Sequence, residues 1–221
     1  MRKVLLVSPH PDDESIGCGG TLRRHVLAGD DVRVIFLTSG EWGGWAESPE
    51  ELARRREQEA ASAAAILGVS QLEFWREPDG MLRATEPLVA RLADLMASWD
   101  PMIVYVPHPH EDSPDHQAAA RVVRRARRRL DGAAPTCFFF EIWTPIRRFD
   151  QIVDITEVLE TKLDAIRAHT SQCELMRFDD AALGLARYRG EMHSWPGGDY
   201  AEVFSVEGDN LELFEREEQD E

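Results

Sequence analysis

Ser8-Pro9-His10-Pro11-Asp12-Asp13-Glu14 places one imidazole and three carboxylates directly behind an apolar run, Val4-Leu5-Leu6-Val7. Clustered like charges repel, and a buried strand that ends in them needs a partner to hold them. A divalent metal is the simplest such partner. His10 and Asp13 are three residues apart. If the chain turns into a helix at Pro11, both can face one point while Asp12 points elsewhere. Zinc takes imidazole and carboxylate, and catalytic zinc keeps three protein ligands and one position for water. The third ligand must come from another part of the chain.

The elements that would position it are legible as alternating apolar runs and helical patterns. Lys3 to Val7, Val32 to Thr38, Leu72 to Trp75, Met102 to Val106 and Thr136 to Ile142 read as strands. Ser15 to Leu27, Pro49 to Leu67, Leu88 to Trp99, and Ser113 to about Leu130 read as helices between them. Ser48 before Pro49, and Gly68 after Leu67, mark the ends of the second helix. Continuous apolar strands suit a parallel sheet covered on both faces. The series predicts an α/β, Rossmann-like three-layer fold with a mainly parallel sheet, strand order 3-2-1-4-5 plus late edge strands. Beyond Trp143 the pattern loosens. Thr156 to His169 and Ala181 to Arg189 read as helices and Tyr200 to Val206 as a late strand.

In that strand order the first and fourth strands are neighbours where the order reverses, and sites form there beyond the strands' carboxyl ends. The loop after the fourth strand is His108-Pro109-His110-Glu111-Asp112, followed by Ser113-Pro114-Asp115-His116. The two histidine-bearing loops therefore fall side by side. This gives His10, Asp13 and His116 as ligands of Zn2+ or another divalent transition metal. Asp12 is left as a general base, taking a proton from water whose pKa the metal lowers. Gly17-Cys18-Gly19-Gly20 lacks the spacing of a dinucleotide-binding turn and follows an acidic loop, so close helix–strand packing explains it better.

Further pieces extend the pattern along the chain. They are Leu37-Thr38-Ser39-Gly40-Glu41, Arg56-Glu57-Gln58-Glu59, Pro78-Asp79-Gly80, Glu141-Ile142-Trp143-Thr144-Pro145, Lys162 to Gln172, and Ala201-Glu202-Val203-Phe204. With Pro9 to Glu14 and Pro114-Asp115-His116, they resemble the LmbE-like, or PIG-L, family of zinc-dependent N-deacetylases. The resemblance implies removal of an N-acetyl or other N-acyl group from an N-acetylglucosamine-type amino sugar. Cleavage of a thiol-sugar conjugate, or a metal-binding protein with weakened catalysis, are the alternatives. It implies the same ligand set and base, and it places Arg56 and Asp79 near the sugar. Trp42 and Trp45, on a glycine-rich loop, suit stacking on a sugar face, closing over the site, or packing.

One position departs from the family. Its second motif commonly begins with a His that stabilises the oxyanion, partnered by the Asp that is Asp115 here; this chain has Ser113, where a helix cap belongs. Losing one oxyanion donor costs about 100- to 1000-fold in rate. His110 or His108 supplies the donor, the metal acts alone, or the chemistry is slowed or changed; His110 is favoured because it can fold back over the helix start.

The chain has 221 residues, and its formal net charge is −16. Such an acidic protein is a poor general binder of nucleic acid. The arginines from Arg121 to Arg129 read as a helix face paired with the protein's own carboxylates. Three cysteines, Cys18, Cys137 and Cys173, form no disulfide framework. No run approaches the ~18 apolar residues of a membrane span. The expectation is one deacetylase domain over 1–206 with an acidic tail over 207–221, cytoplasmic, acting on a small molecule, with a homo-oligomer left open.

Overall fold

A computed structural model describes residues 1–193, 198–208, 213 and 214. Seven strands form one sheet in the order β3-β2-β1-β4-β5-β7-β6. Five are parallel: β1 (Lys3–Ser8), β2 (Asp31–Phe36), β3 (Gln71–Phe74), β4 (Ile103–Pro107) and β5 (Thr136–Phe140). The α/β fold and the order 3-2-1-4-5 are as the alternating pattern predicts. β7 (Ala201–Glu207) then runs antiparallel to β5, and β6 (Gln151–Asp154) is antiparallel to β7 at the edge.

Strand side chains alternate between two cores, which is why both faces of each parallel strand must be apolar. Val4, Leu6, Val34, Phe36, Tyr105 and Phe138 face α1 (Asp13–Leu27), α2 (Pro49–Leu67), α5 (Leu159–Ala168) and α7 (Phe178–His193). Leu5, Val7, Ile35, Val104, Val106 and Phe139 face α3 (Glu86–Trp99) and α4 (Pro114–Arg127). A short helix, α6 (Thr170–Cys173), follows α5.

The boundaries follow local chemistry. Ser48 and Glu51 form a reciprocal capping box at α2, and Gly68 ends that helix in the left-handed region at φ 83°. α1 starts two residues earlier than its apolar periodicity predicts, because Asp13 and Glu14 join its first turn. α7 is longer than expected, and the helix expected from Thr156 opens as a 3-10 turn over Thr156–Val158 before α5 begins at Leu159. β6 was not foreseen: of its four residues only Val153 is buried.

Arg124 and Arg127 bind Glu207, and Arg125 binds Glu86, so these arginines of α4 pair with the protein's own carboxylates. Most of the acidic tail lies outside the described residues, as do residues 194–197. Within the tail Glu207 belongs to β7, and Leu213 is buried against the N-terminal strand end, where Arg2 donates to its carbonyl. All three cysteines are free. Among the described residues no helix is long and apolar enough to cross a membrane.

Candidate metal centre and active site

β1 and β4 are paired neighbours, so the loops that leave their carboxyl ends meet. The first loop is latched to the one after β2. Thr38 donates to the Pro9 carbonyl from both its backbone N–H (3.0 Å) and its Oγ1 (2.9 Å), and Ser8 Oγ donates to His10 O at 2.8 Å. Pro114 opens α4 and places Asp115 and His116 in its buried first turn.

Asp13 Oδ2 is the meeting point. It accepts the His10 N–H at 3.0 Å and lies 3.2 Å from His10 Nδ1 and 3.3 Å from His116 Nε2. The His116 contact is not aligned as a hydrogen bond, and neither ring nitrogen of this buried imidazole has a hydrogen-bond partner among the described residues. Two buried orphan nitrogens beside a carboxylate are costly unless something else satisfies them. His10, Asp13 and His116 offer one ligand atom each within 4.8 Å of one another, so the donor set fits a divalent cation.

The charges agree with this. Burial works against a charge on His116, yet the Asp13 carboxylate raises it to about 9. Burial opposes charge on His10 too, but Asp115, Asp13 and Asp79 raise it well above the usual imidazole value. Asp13, despite burial, is held well below the usual carboxylate range by His116 and His10. Both imidazoles thus favour positive charge beside Asp13, which a cation bound there would supply in place of their protons.

Behind His10, Nε2 lies 3.1 Å from Asp79 Oδ1 and 3.4 Å from Asp115 Oδ2. The far nitrogen of a ligand His paired with a carboxylate fixes its tautomer and ring orientation. Asp115 is itself fixed by the backbone N–H groups of Gly80 and Leu82. Asp79 Oδ2 accepts the Trp42 N–H at 2.8 Å, and Glu41 accepts the Asp79 N–H. His10, Asp79 and Asp115 are close enough to form a second group of potential ligands, but their oxygens are largely committed to these backbone donors. Behind His116 stands Glu111, 3.7 Å from Nδ1 and held by the N–H groups of Ile142 and Trp143. Against burial, His108 and His116, with the Ile142 N–H, hold Glu111 down to about 2.

Asp12 takes a different direction. Its Oδ2 lies 3.1 Å from Arg56 Nη2, and it belongs to neither ligand group. Burial raises it to about 6, with Arg56 pulling the other way. Arg56 is buried under the loop, donating to Pro11 O and Gly40 O; a side chain at Gly40 or Gly43 would collide with its guanidinium. Its direct contacts are therefore with Asp12 and the loops around it. Trp42 is 68% exposed at the rim and Trp45 is 86% exposed.

The fourth-strand loop divides its histidines. His108 Nε2 donates to Thr144 O at 2.7 Å. His110 is exposed, with its ring 6.4 Å from that of His108, and the structure does not bring it into the metal-ligand group. Ser113 occupies the N-cap position of α4 without a side-chain capping hydrogen bond. Sequence reasoning missed Glu14, His169 and Glu111. His169 lay within the Lys162 to Gln172 piece but read as a helix end; nothing local links it to Glu14, which it contacts at 2.9 Å.

Between α1, α7 and the start of β7 lies a cavity of about 260 Å³, lined by Ile16, Ile142, Trp143, Phe178, Leu185 and Val203 among others. Its buried charges are already paired, Glu141 with Arg189 and Lys162 with Glu202.

The fold and site together define a class: an α/β protein with a His–Asp–His group able to hold a metal beyond the carboxyl ends of adjacent strands, and a separate carboxylate beside it. The family model for PIG-L, GlcNAc-PI de-N-acetylase, matches residues 5–127, and the chain belongs to that family. A diacetylchitobiose deacetylase of Thermococcus kodakarensis is 33% identical over 188 residues, 78% of this chain and 70% of the relative. The solved N,N'-diacetylchitobiose deacetylase of Pyrococcus horikoshii superposes with a TM-score of 0.83 at 27% identity, covering 93% of this chain and 84% of that one. GalB, the 4-carboxy-2-hydroxymuconate hydratase of Pseudomonas putida KT2440, reaches 0.85 at 26% identity over 96% and 98% of the two chains.

Proposed function

We propose that this protein is a metal-dependent hydrolase that removes the N-acetyl group from an amino sugar of the N-acetylglucosamine class. The observation that carries the reading is the division of labour between adjacent carboxylates. Asp13 sits between two histidines, whereas Asp12 stays outside the ligand set with its pKa near 6. A general base should be poised close to the working pH.

His10, Asp13 and His116 would hold the cation, zinc being our first choice for this donor set. Bound there, the metal lowers the pKa of water towards neutrality and polarises the amide carbonyl. Asp12 takes a proton from the attacking water as the water oxygen bonds to the carbonyl carbon. The C–N bond then breaks, and the proton on Asp12 passes to the leaving nitrogen. The products are a carboxylate, acetate for an acetyl substrate, and the free amino sugar. Arg56 keeps Asp12 ionised between turnovers. Asp79 and Asp115 hold the His10 ring, and the exposed Trp42 face is suited to stacking on a sugar.

Of the fourth-strand loop's donors, His108 is spent on Thr144, which leaves His110 as our candidate for the oxyanion side. His110→Ala should slow turnover with metal retained; unchanged turnover removes that role. The fold alone does not choose the reaction, since a hydratase shares it. Acetate release from N-acetylglucosamine and its β-linked dimer tests the main reading. Chelation should abolish release, zinc should restore it, and Asp12→Ala should bind zinc yet lose at least about 100-fold in kcat. Full activity in Asp12→Ala, or hydration of 4-carboxy-2-hydroxymuconate without deacetylation, overturns it.

A further inference from the structure

Among the described residues Asp12 is one of three non-glycine residues with positive φ, at 143°. Such a conformation persists only when its surroundings hold it. The conformation has a consequence for the site. Adjacent residues of a helix project about 100° apart, so Asp12 and Asp13 cannot serve one centre from a continuous helical start. The break at Asp12 lets Asp13 turn to the histidines and Asp12 to Arg56.

The holder is Glu14. Its Oε2 accepts the Asp12 N–H at 3.0 Å, while its Oε1 accepts from Ser15 Oγ at 2.7 Å and lies 2.9 Å from His169 Nε2. Glu14 and His169 are 2% and 1% exposed. Both oxygens are thus committed, and the carboxylate cannot rotate without losing a buried contact. His169 comes from the junction of α5 and α6, where the Gln172 and Cys173 N–H groups bond to its carbonyl. The anchor of the strained turn therefore comes from an element late in the chain.

We propose that Glu14, steadied by His169, is a positioning residue that sets the direction of Asp12 through its backbone N–H. It touches neither substrate nor metal. The proposal rests on Asp12 acting as the base. Without the acceptor the Asp12 N–H is buried and unpaired, and the residue relaxes out of positive φ, carrying its carboxylate away from the attacking water.

The test compares wild type, Glu14→Ala, Glu14→Gln and His169→Ala, each loaded with zinc. Metal content, kcat and KM on an N-acetylated amino sugar, and a crystal structure of each would be measured. Glu14→Ala should keep its metal and a KM within about twofold, lose about 10- to 100-fold in kcat, and show residue 12 outside positive φ. Glu14→Gln should stay within about fivefold of wild type, because an amide oxygen still accepts the N–H while its NH2 faces Ser15 and His169. His169→Ala should fall between them and stands in if Glu14→Ala does not fold. Unchanged kcat with φ still positive, a Gln variant no better than Ala, or a rate loss matched by metal loss overturns the proposal. An inactive wild type would instead overturn the deacetylase reading, and the conformation of residue 12 would still judge the role of Glu14.

Discussion

At the scale of single residues, the charge beside Asp12 makes a prediction about pH. Burial raises Asp12 to about 6, and Arg56 opposes that rise. On the proposed mechanism Asp12 works only when unprotonated, so kcat/KM should climb through about pH 6 and level off above it. Removing the guanidinium takes away the largest charge that opposes burial, leaving only His169 and His10, so Arg56→Gln should move this acid limb to higher pH by about one to two pH units. Activity lost at pH 6.5 should then return at pH 8.5. If Arg56 acts only on the sugar, KM rises and the limb stays where it is. The contacts with Asp12, Pro11 and Gly40 favour the first outcome. Much of this centre was legible locally: His10 and Asp13 share a three-residue spacing, and His116 follows from strand adjacency. The role of Glu14 was not, because its partner His169 lies 155 positions away and no spacing rule reaches that far.

At the scale of elements, α1 carries the ligand loop and must lie close to the sheet. Gly17 allows this: an added Cβ would strike the fully buried Phe140 ring and reach 3.0 Å from the Glu141 carbonyl. Alanine gains about 1 kcal/mol in helix propensity, but overpacking costs about 1–3 kcal/mol, and here neither neighbour can withdraw. Gly17→Ala should therefore destabilise by up to about 2 kcal/mol. Gly184, in α7, has nothing within 4 Å of an added Cβ. Gly184→Ala should stabilise by about 0.5–1 kcal/mol. Urea denaturation with an unchanged m-value checks both signs. The parallel half of the sheet was readable because strands buried on both faces leave continuous apolar runs. β6 has no such run, and β7 read as an edge strand although β6 covers it. Antiparallel strands of four and seven residues carry too little pattern to fix their order.

At the scale of the whole molecule, the end of the sheet opposite the metal site gathers distant parts of the chain around His25. Its Nδ1 is 2.8 Å from Asp30 Oδ2, its Nε2 is 2.9 Å from the Tyr105 hydroxyl, and Phe214 packs on the ring. Arg2 also binds Asp30, and Arg24 stacks on Phe214. A neutral imidazole with its proton on Nδ1 donates to Asp30 and accepts from Tyr105, so it is fully satisfied. A second proton would make Nε2 a donor and take away the acceptor of the Tyr105 O–H. Burial lowers His25 from 6.5 to about 4, outweighing the pull of Asp30, with Arg2 and Arg24 adding to the effect. The unfolded chain then binds a proton at His25 more readily than the folded one. Stability is fully present above about pH 6.5 and is lost as pH falls towards 4, by up to about 3 kcal/mol. Release of a metal held by the proposed ligands His10 and His116 would also weaken the fold in acid, so wild type alone cannot isolate this site. His25→Gln should be less stable than wild type at pH 7.5 but should lose less between pH 6.5 and 4.5. Denaturation of both proteins with chelator present measures the difference in slope. Parallel curves would mean that His25 titrates alike in the folded and unfolded chains, and that the Tyr105–His25–Asp30 chain does not oppose protonation.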